Sequence, residues 1–209
     1  MKRYAAIVLA VALAVQVGWD LLDLLLLHRE PGPDPLGTVI VIVFAVFALT
    51  RSHPRWRWLT VVVRVLMAAD FLLAVADRFG IFGPAGTPGT SWGDFPHFIA
   101  YTRTMTTFLP AGLAPTLAVL ATVAEITLGL ALLLGVRLRL AAIGSAILLG
   151  IYAICMSITL PPAQQFHYTV FVLAAGMLTL ATVDNAPLTL DALRGARRFS
   201  AAHVRVQLR

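Results

Sequence analysis

Apolar residues run through this chain in long blocks, and polar residues fall mainly in the breaks between them. Six blocks stand out: Tyr4–Leu27, Leu36–Thr50, Trp58–Ala76, Leu113–Gly135, Leu140–Leu160 and Tyr168–Val183. Roughly 20 apolar residues cross the hydrocarbon of a bilayer, and somewhat fewer suffice where flanking arginines snorkel. Each block is read as a membrane-spanning helix, the second being short and bounded by Pro35 and Arg51. The one long break is 79–112. Its first half, from Gly80 to Gly89, is rich in glycine and proline and reads as a loop. Its second half reads as a short helix capped by Asp94, with Pro96 in the first turn and Phe95, Phe98, Met105 and Leu109 forming an apolar stripe. Such a helix lies at the membrane surface or serves as a lid over a cavity between the spans.

Composition agrees with an integral membrane protein. The 209 residues are 59% apolar and 12% charged, about half the charged share of a soluble domain. Disorder, collagen-like repeats and a disulfide scaffold are excluded, Cys155 being the only cysteine. The net charge of +6 does not point to nucleic acid, because the basic residues are spread between apolar runs. The expected fold is all-α.

The basic residues also set an orientation. With the N-terminus inside, Lys2, Arg3, Arg51, Arg55, Arg57, Arg137, Arg139 and the arginines after position 190 fall on the inner side, against Arg29, Arg78 and Arg103 outside. Both termini are therefore expected in the cytoplasm. Lys2-Arg3 and the stretch ending Ala12-Leu13-Ala14 resemble a cleavable signal peptide, but apolar sequence continuing to Leu27 favours a retained helix. The basic tail after Asp184 suits anionic inner-leaflet lipid.

Ionisable groups inside the spans are costly unless paired or facing a cavity, so each is a candidate site. Arg64 and Asp70 fall in the third span and Glu125 in the fourth. Helical rise puts Asp70 and Glu125 near the midplane, about 18 Å and about 16 Å from the inner ends of their helices. Arg64 lies one turn lower, within reach of Glu125 if their faces match. Either these two staple the bundle, or a buried carboxylate accepts a proton from a ligand with Arg64 tuning it. One base cannot neutralise two acids at that depth, so Asp70 or Glu125 is expected to hold a proton or to meet water. Asp20, Asp23, Asp77 and Arg78 read as solvated rim groups.

No histidine falls at midspan, which argues against a membrane haem. His28, His97 and His167 share the outer side, an arrangement that is more often unrelated than a metal site. A single cysteine cannot run an intramolecular dithiol cycle. Small residues such as Gly144, Ser145, Gly150, Ser157 and Gly176 allow close helix approach and need no cofactor to explain them. No nucleotide fingerprint or phosphate loop is evident.

Four stretches taken together resemble the DoxX family of bacterial membrane proteins, over roughly residues 60–195. They are Arg64 to Phe71 with Arg78-Phe79-Gly80, the outer loop through Phe95-Pro96-His97-Phe98 to Phe108-Leu109-Pro110, Glu125 to Gly135 with Arg139-Leu140-Ala141-Ala142, and Leu188-Thr189-Leu190-Asp191. The resemblance implies a four-helix bundle (about 58–184, within a unit 55–185), preceded by two additional spans (1–54) and followed by a basic tail (186–209). A related branch is the small subunit of thiosulfate:quinone oxidoreductase, so the resemblance also implies a quinone-linked role in a bacterial inner membrane.

The function expected from these readings is a non-autonomous oxidoreductase subunit linking a partner redox protein to the quinone pool. Glu125 would accept the proton, Arg64 would be its charge partner and Asp70 the next relay. His167 and Tyr168 would hydrogen-bond a quinone carbonyl, with His97 and Phe98 completing the ligand set. No haem, nucleotide or metal is expected. The partners are the bilayer, quinone, a redox protein that supplies the electron carrier, and optionally a second copy of the chain. The alternatives are a carrier for a small apolar solute or lipid, and a scaffold holding an enzyme at the membrane.

Overall fold

A computed structural model describes residues 2–27, 35–50, 56–184 and 186–192. Its described residues are mostly helical, 79% of them, with no strand among them. In chain order the helices are α1 (Lys2–Leu22, continued by a π-helical turn Asp23–Leu27), α2 (Pro35–Leu49), α3 (Trp56–Arg78), α4 (Phe95–Met105), α5 (Ala114–Leu134), α6 (Leu138–Thr159), α7 (Pro162–His167) and α8 (Val170–Leu180). The chain is an all-α membrane protein. Four helices are long and apolar enough to cross a bilayer: Lys2–Leu26, Trp56–Arg78, Ala111–Leu134 and Leu138–Thr159.

Two of the six expected spans are shorter than the hydropathy blocks suggested: α2 has 15 residues and α8 only 11. The block that contains α8 is broken at Thr169, whose φ of 48° ends the helical path after α7. Short helices survive at membrane depth when protein rather than lipid surrounds their ends. That is the situation of α8, which packs against α6, α1, α2, α7 and α3. Val172, Met177 and Leu180 of α8 are buried together with Phe44 and Phe47 of α2 and Leu9 of α1.

Contact between α2 and α8 depends on a missing side chain. The Phe44 ring lies over Gly176 so closely that a Cβ there would stand 1.8 Å from Cε1. The two N-terminal helices therefore cover α8 and complete the core; they do not stand apart as an appendage. Gly129 of α5 similarly admits Leu72 and Phe71 of α3, and Gly144 of α6 admits Leu128 of α5.

Hydrogen bonds define the two ends of the bundle. At one end Lys2 pairs with Asp184 and Arg64 donates to the Leu188 carbonyl at 2.9 Å. Gly135 closes α5 there in the left-handed conformation (φ 64°), and Asp191 Oδ2 accepts from Leu138 N at 3.2 Å at the start of α6. The Lys2–Asp184 hydrogen bond holds the Asp184 carboxyl below its usual range. At the other end Gln16 of α1 donates to the Phe166 carbonyl at 3.0 Å, and Trp19 stacks on the Phe166 ring at 4.6 Å. That second end carries the long connection and α4.

Candidate functional site

The charged centre of the bundle is built by α3, α5 and α6 and roofed by α4. Arg78, the last residue of α3, places Nη2 2.6 Å from Glu125 Oε2, and both side chains are almost wholly buried. Its Nη1 donates to Thr122 Oγ1 at 3.0 Å, one turn along α5, and that hydroxyl donates to the Ala118 carbonyl at 2.8 Å. From α6, Tyr152 donates its hydroxyl to Glu125 Oε1 at 2.5 Å. Asp70, half-buried on α3, lies close enough to Glu125 for the two carboxyls to interact electrostatically. Glu125 sits about 16 Å along α5 from Ala114 and Tyr152 about 10 Å back from the end of α6, so the cluster lies inside the bundle.

Aromatic rings close the centre from above. The Arg78 guanidinium lies 3.7 Å from the Phe98 ring centroid and 5.1 Å from that of Trp92. Desolvated cation–π contacts of this kind contribute up to about 2 kcal/mol each. Trp92 packs edge-on against Phe98 at 5.1 Å. Its position is set by Asp77, whose Oδ2 accepts from the backbone N–H groups of Ser91 and Trp92, each at 2.9 Å. Gly93 completes the fold-back of the loop: with φ of 72° it sits where a Cβ would stand 2.2 Å from Ala85 N. The helix that carries Phe98 starts at Asp94, whose carboxylate accepts from His97 N at 2.8 Å. That bond lowers the Asp94 carboxyl below its usual range. Because α4 packs on α5 and α6, Phe98 is held over the ion pair.

The hydrogen-bonding capacity of the pair is not filled. Arg78 Nε and Glu125 Oε2 are buried without an aligned hydrogen bond, so Oε2 meets Arg78 through charge at short range rather than through a directed N–H. A buried ion pair is stable only when its remaining donors and acceptors are also met. Arg78 Nε is thus a donor without a partner, and Glu125 Oε2, already 2.6 Å from Nη2, keeps one further acceptor lone pair.

The expected site residues fall into three groups. Glu125 is the hub, Asp70 lies beside it and Phe98 covers its partner. Tyr168 and His167 are exposed beyond the roof: Tyr168 is linked to it through Tyr101, which shares a hydrogen bond with Tyr168 and lies 5.8 Å from Trp92. Burial and Tyr168 push the Tyr101 phenol above its ordinary range. His167 contacts the Tyr168 ring edge-on at 5.3 Å. His97 points away and pairs with Asp94 at 2.7 Å.

Arg64 is not the partner of Glu125. Its guanidinium lies against Gly135, where a Cβ would stand 2.6 Å from Nη1, and Gly135 is about 15 Å of helical rise beyond Glu125. The long side chain snorkels to the end of the bundle instead of crossing to α5 at midspan. Asp77 and Arg78, expected as solvated rim groups, are buried because α3 runs to Arg78 and the loop folds back over it. Tyr152 was missed as well, although a hydroxyl in the interior of a span has to find a partner. His28 lies outside the described residues. Among the described residues no three His, Cys, Asp or Glu side chains stand together as a metal site.

Neither a curated protein nor a solved structure matches the chain. Residues 56–167, just over half of it and spanning α3 to α7, match the family model described as methylamine utilisation protein MauE. This corrects the expected DoxX membership. The small residues between Glu125 and Gly135 and at Ala141-Ala142 answer to helix packing that any membrane bundle requires, as Gly129 against Leu72 shows. With the matched residues contributing the whole Arg78–Glu125–Tyr152 centre and its roof, this chain belongs to the MauE family of methylamine utilisation proteins.

Proposed function

We propose that this chain is the membrane subunit of a redox system in methylamine utilisation, exchanging protons and electrons between a partner oxidoreductase and a quinone. The partnerless Arg78 Nε and the remaining lone pair of Glu125 Oε2 carry the reading. A guanidinium N–H is a donor for a quinone carbonyl and a carboxylate is an acceptor for a hydroquinone O–H, so the pair complements both oxidation states of one ring. The apolar faces of the bundle and the Phe98 roof suit the ring and its tail.

In the oxidising direction two electrons leave the hydroquinone for the redox group of the partner protein. One hydroxyl proton passes to Glu125 and on through Asp70, and the second follows the same route. In the reducing direction the quinone takes two electrons from the partner and two protons by the reverse path. Tyr152 holds Glu125 in position through Oε1, so that the second lone pair of Oε2 faces the ligand beside Arg78. Lys2, Arg3, Arg57, Arg137 and Arg139 cluster toward the Arg64 end, so that end faces the cytoplasm of a bacterial inner membrane and the α4 roof faces outward, toward the partner.

The test uses the purified full chain in detergent with a short-tailed quinone analogue. A ligand that binds the folded state raises the unfolding temperature as its concentration exceeds its Kd. The wild type should shift, and Glu125→Gln and Arg78→Gln should not. No shift in the wild type, or an equal shift in both variants, would refute the proposal. Uptake of an apolar solute by proteoliposomes lacking any redox partner would point instead to a carrier.

A further inference from the structure

The end of the bundle opposite the roof holds a second, separate feature. A groove of about 430 Å³ is lined by Leu133 and Leu134 from the end of α5 and by Leu188, Thr189, Leu190 and Ala192 from the segment crossing below it. Its leucines are largely exposed: Leu133, Leu134 and Leu188 are 41%, 51% and 67% accessible. Arg64 lies directly behind its wall. A Cβ on Gly135 would stand 2.6 Å from Arg64 Nη1 and 2.7 Å from Thr189 Cβ, so the guanidinium and the groove residue meet at the same point.

Arg64 makes no ion pair among the described residues; the acids at that end, Asp191 and Asp184, bond to Leu138 N and Lys2. The guanidinium is 4% exposed and donates through Nη2 to the Leu188 carbonyl, while Nε and Nη1 have no hydrogen-bond partner. No carboxylate among the described residues pairs with it. Arg137 and Arg139, both exposed, flank the same end and add positive potential. The sequence after Ala192 carries Arg194, Arg197 and Arg198 and no acidic side chain. A buried, unpaired cation beside an apolar groove at the end of a bundle calls for a ligand that is anionic at its head and apolar along its length.

We infer that this groove is a site for an anionic phospholipid, its acyl chain along Leu133, Leu134, Leu188 and Leu190 and its phosphate over Thr189 in the field of Arg64, Arg137 and Arg139. A basic group near the membrane surface contributes about 1 kcal/mol to the binding of an anionic headgroup, equivalent to about a fivefold preference.

Native mass spectrometry of the detergent-purified full chain tests this with phosphatidylglycerol against phosphatidylcholine. The wild type should retain phosphatidylglycerol at least about fivefold more tightly. Arg64→Gln should cut that preference about fivefold. Ala192→Trp, at an exposed position away from the core, should displace both lipids by filling the groove, and it stands as the test if Arg64→Gln fails to fold. Equal retention of the two lipids by the wild type, or unchanged phosphatidylglycerol binding in Ala192→Trp, would overturn the inference. So would glycerol phosphate competing as well as the whole lipid, since that would identify a free phosphate ester as the ligand.

Discussion

Arg78 and Glu125 meet at 2.6 Å inside the bundle, one from the last turn of α3 and the other from the middle of α5. Both are shielded from solvent, so removing either leaves the other as an unpaired buried charge. Breaking a buried pair in this way costs about 3–5 kcal/mol, whereas replacing both partners with apolar residues of similar volume is often close to neutral. Denaturant unfolding in detergent should therefore show Glu125→Gln and Arg78→Gln strongly destabilised. The Arg78→Met, Glu125→Leu double variant should recover most of that stability and still lack quinone-analogue binding. A double variant as unstable as the singles would mean that the pair is not a coupled unit.

Tyr152 makes a separate contribution. Its hydroxyl donates to Glu125 Oε1 at 2.5 Å, a hydrogen bond to a charged acceptor, worth about 1.5–3 kcal/mol. Tyr152→Phe keeps the ring and removes only the hydroxyl, which bonds to Glu125 and also interacts with Arg78. The variant should lose stability in that range and should bind a quinone analogue more weakly, because Glu125 is no longer held. In the background of Glu125→Leu the same substitution should cost much less. A double-mutant cycle on unfolding free energies reads the coupling directly.

Hydropathy was enough to read an all-helical membrane protein, the ends of the long spans to within a few residues, and Glu125 as an interior acid. It did not identify the arginine that faces Glu125. Counting apolar residues ends the third span at Ala76, whereas the helix continues to Arg78 and the loop then folds back over it through Asp77 and Gly93. Burial of Arg78 is thus a property of the tertiary fold, and no local pattern encodes it. Arg64 failed for the opposite reason: its long side chain lets the charge sit well away from the depth of its backbone. The enclosure of α8 was hidden too, since a helix packed in protein and one facing lipid have the same apolar composition.

Gly176 tests that enclosure. A Cβ at this position would stand 1.8 Å from the Phe44 ring, and Phe44 is itself buried between α2 and α8. Overpacking of a tight core costs about 1–3 kcal/mol. Gly176→Ala should lower the unfolding temperature, and Phe44→Leu in the same chain should restore part of the loss by vacating the ring volume. If Gly176→Ala is neutral on its own, α2 does not press on α8 as described.

The roof should loosen in acid. Asp94 accepts hydrogen bonds from the His97 backbone and ring, and the first of these is the main cause of its lowered pKa. A carboxyl whose folded pKa lies below its unfolded value stabilises the folded state above the unfolded pKa, and that contribution disappears as pH falls through the folded value. Protonation of Asp94 removes the cap of α4, the helix that holds Phe98 over Arg78. Hydrogen exchange of the amides at the start of α4, followed as pH is lowered through the carboxylate range and corrected for intrinsic rates, should show reduced protection there before α5 or α6 is affected. Asp94→Ala should show the same loss of protection already at neutral pH and little further change on acidification. Retained protection in that variant would mean that α4 is held by its packing on α5 and α6 alone, and that the acid loosening of the roof does not occur.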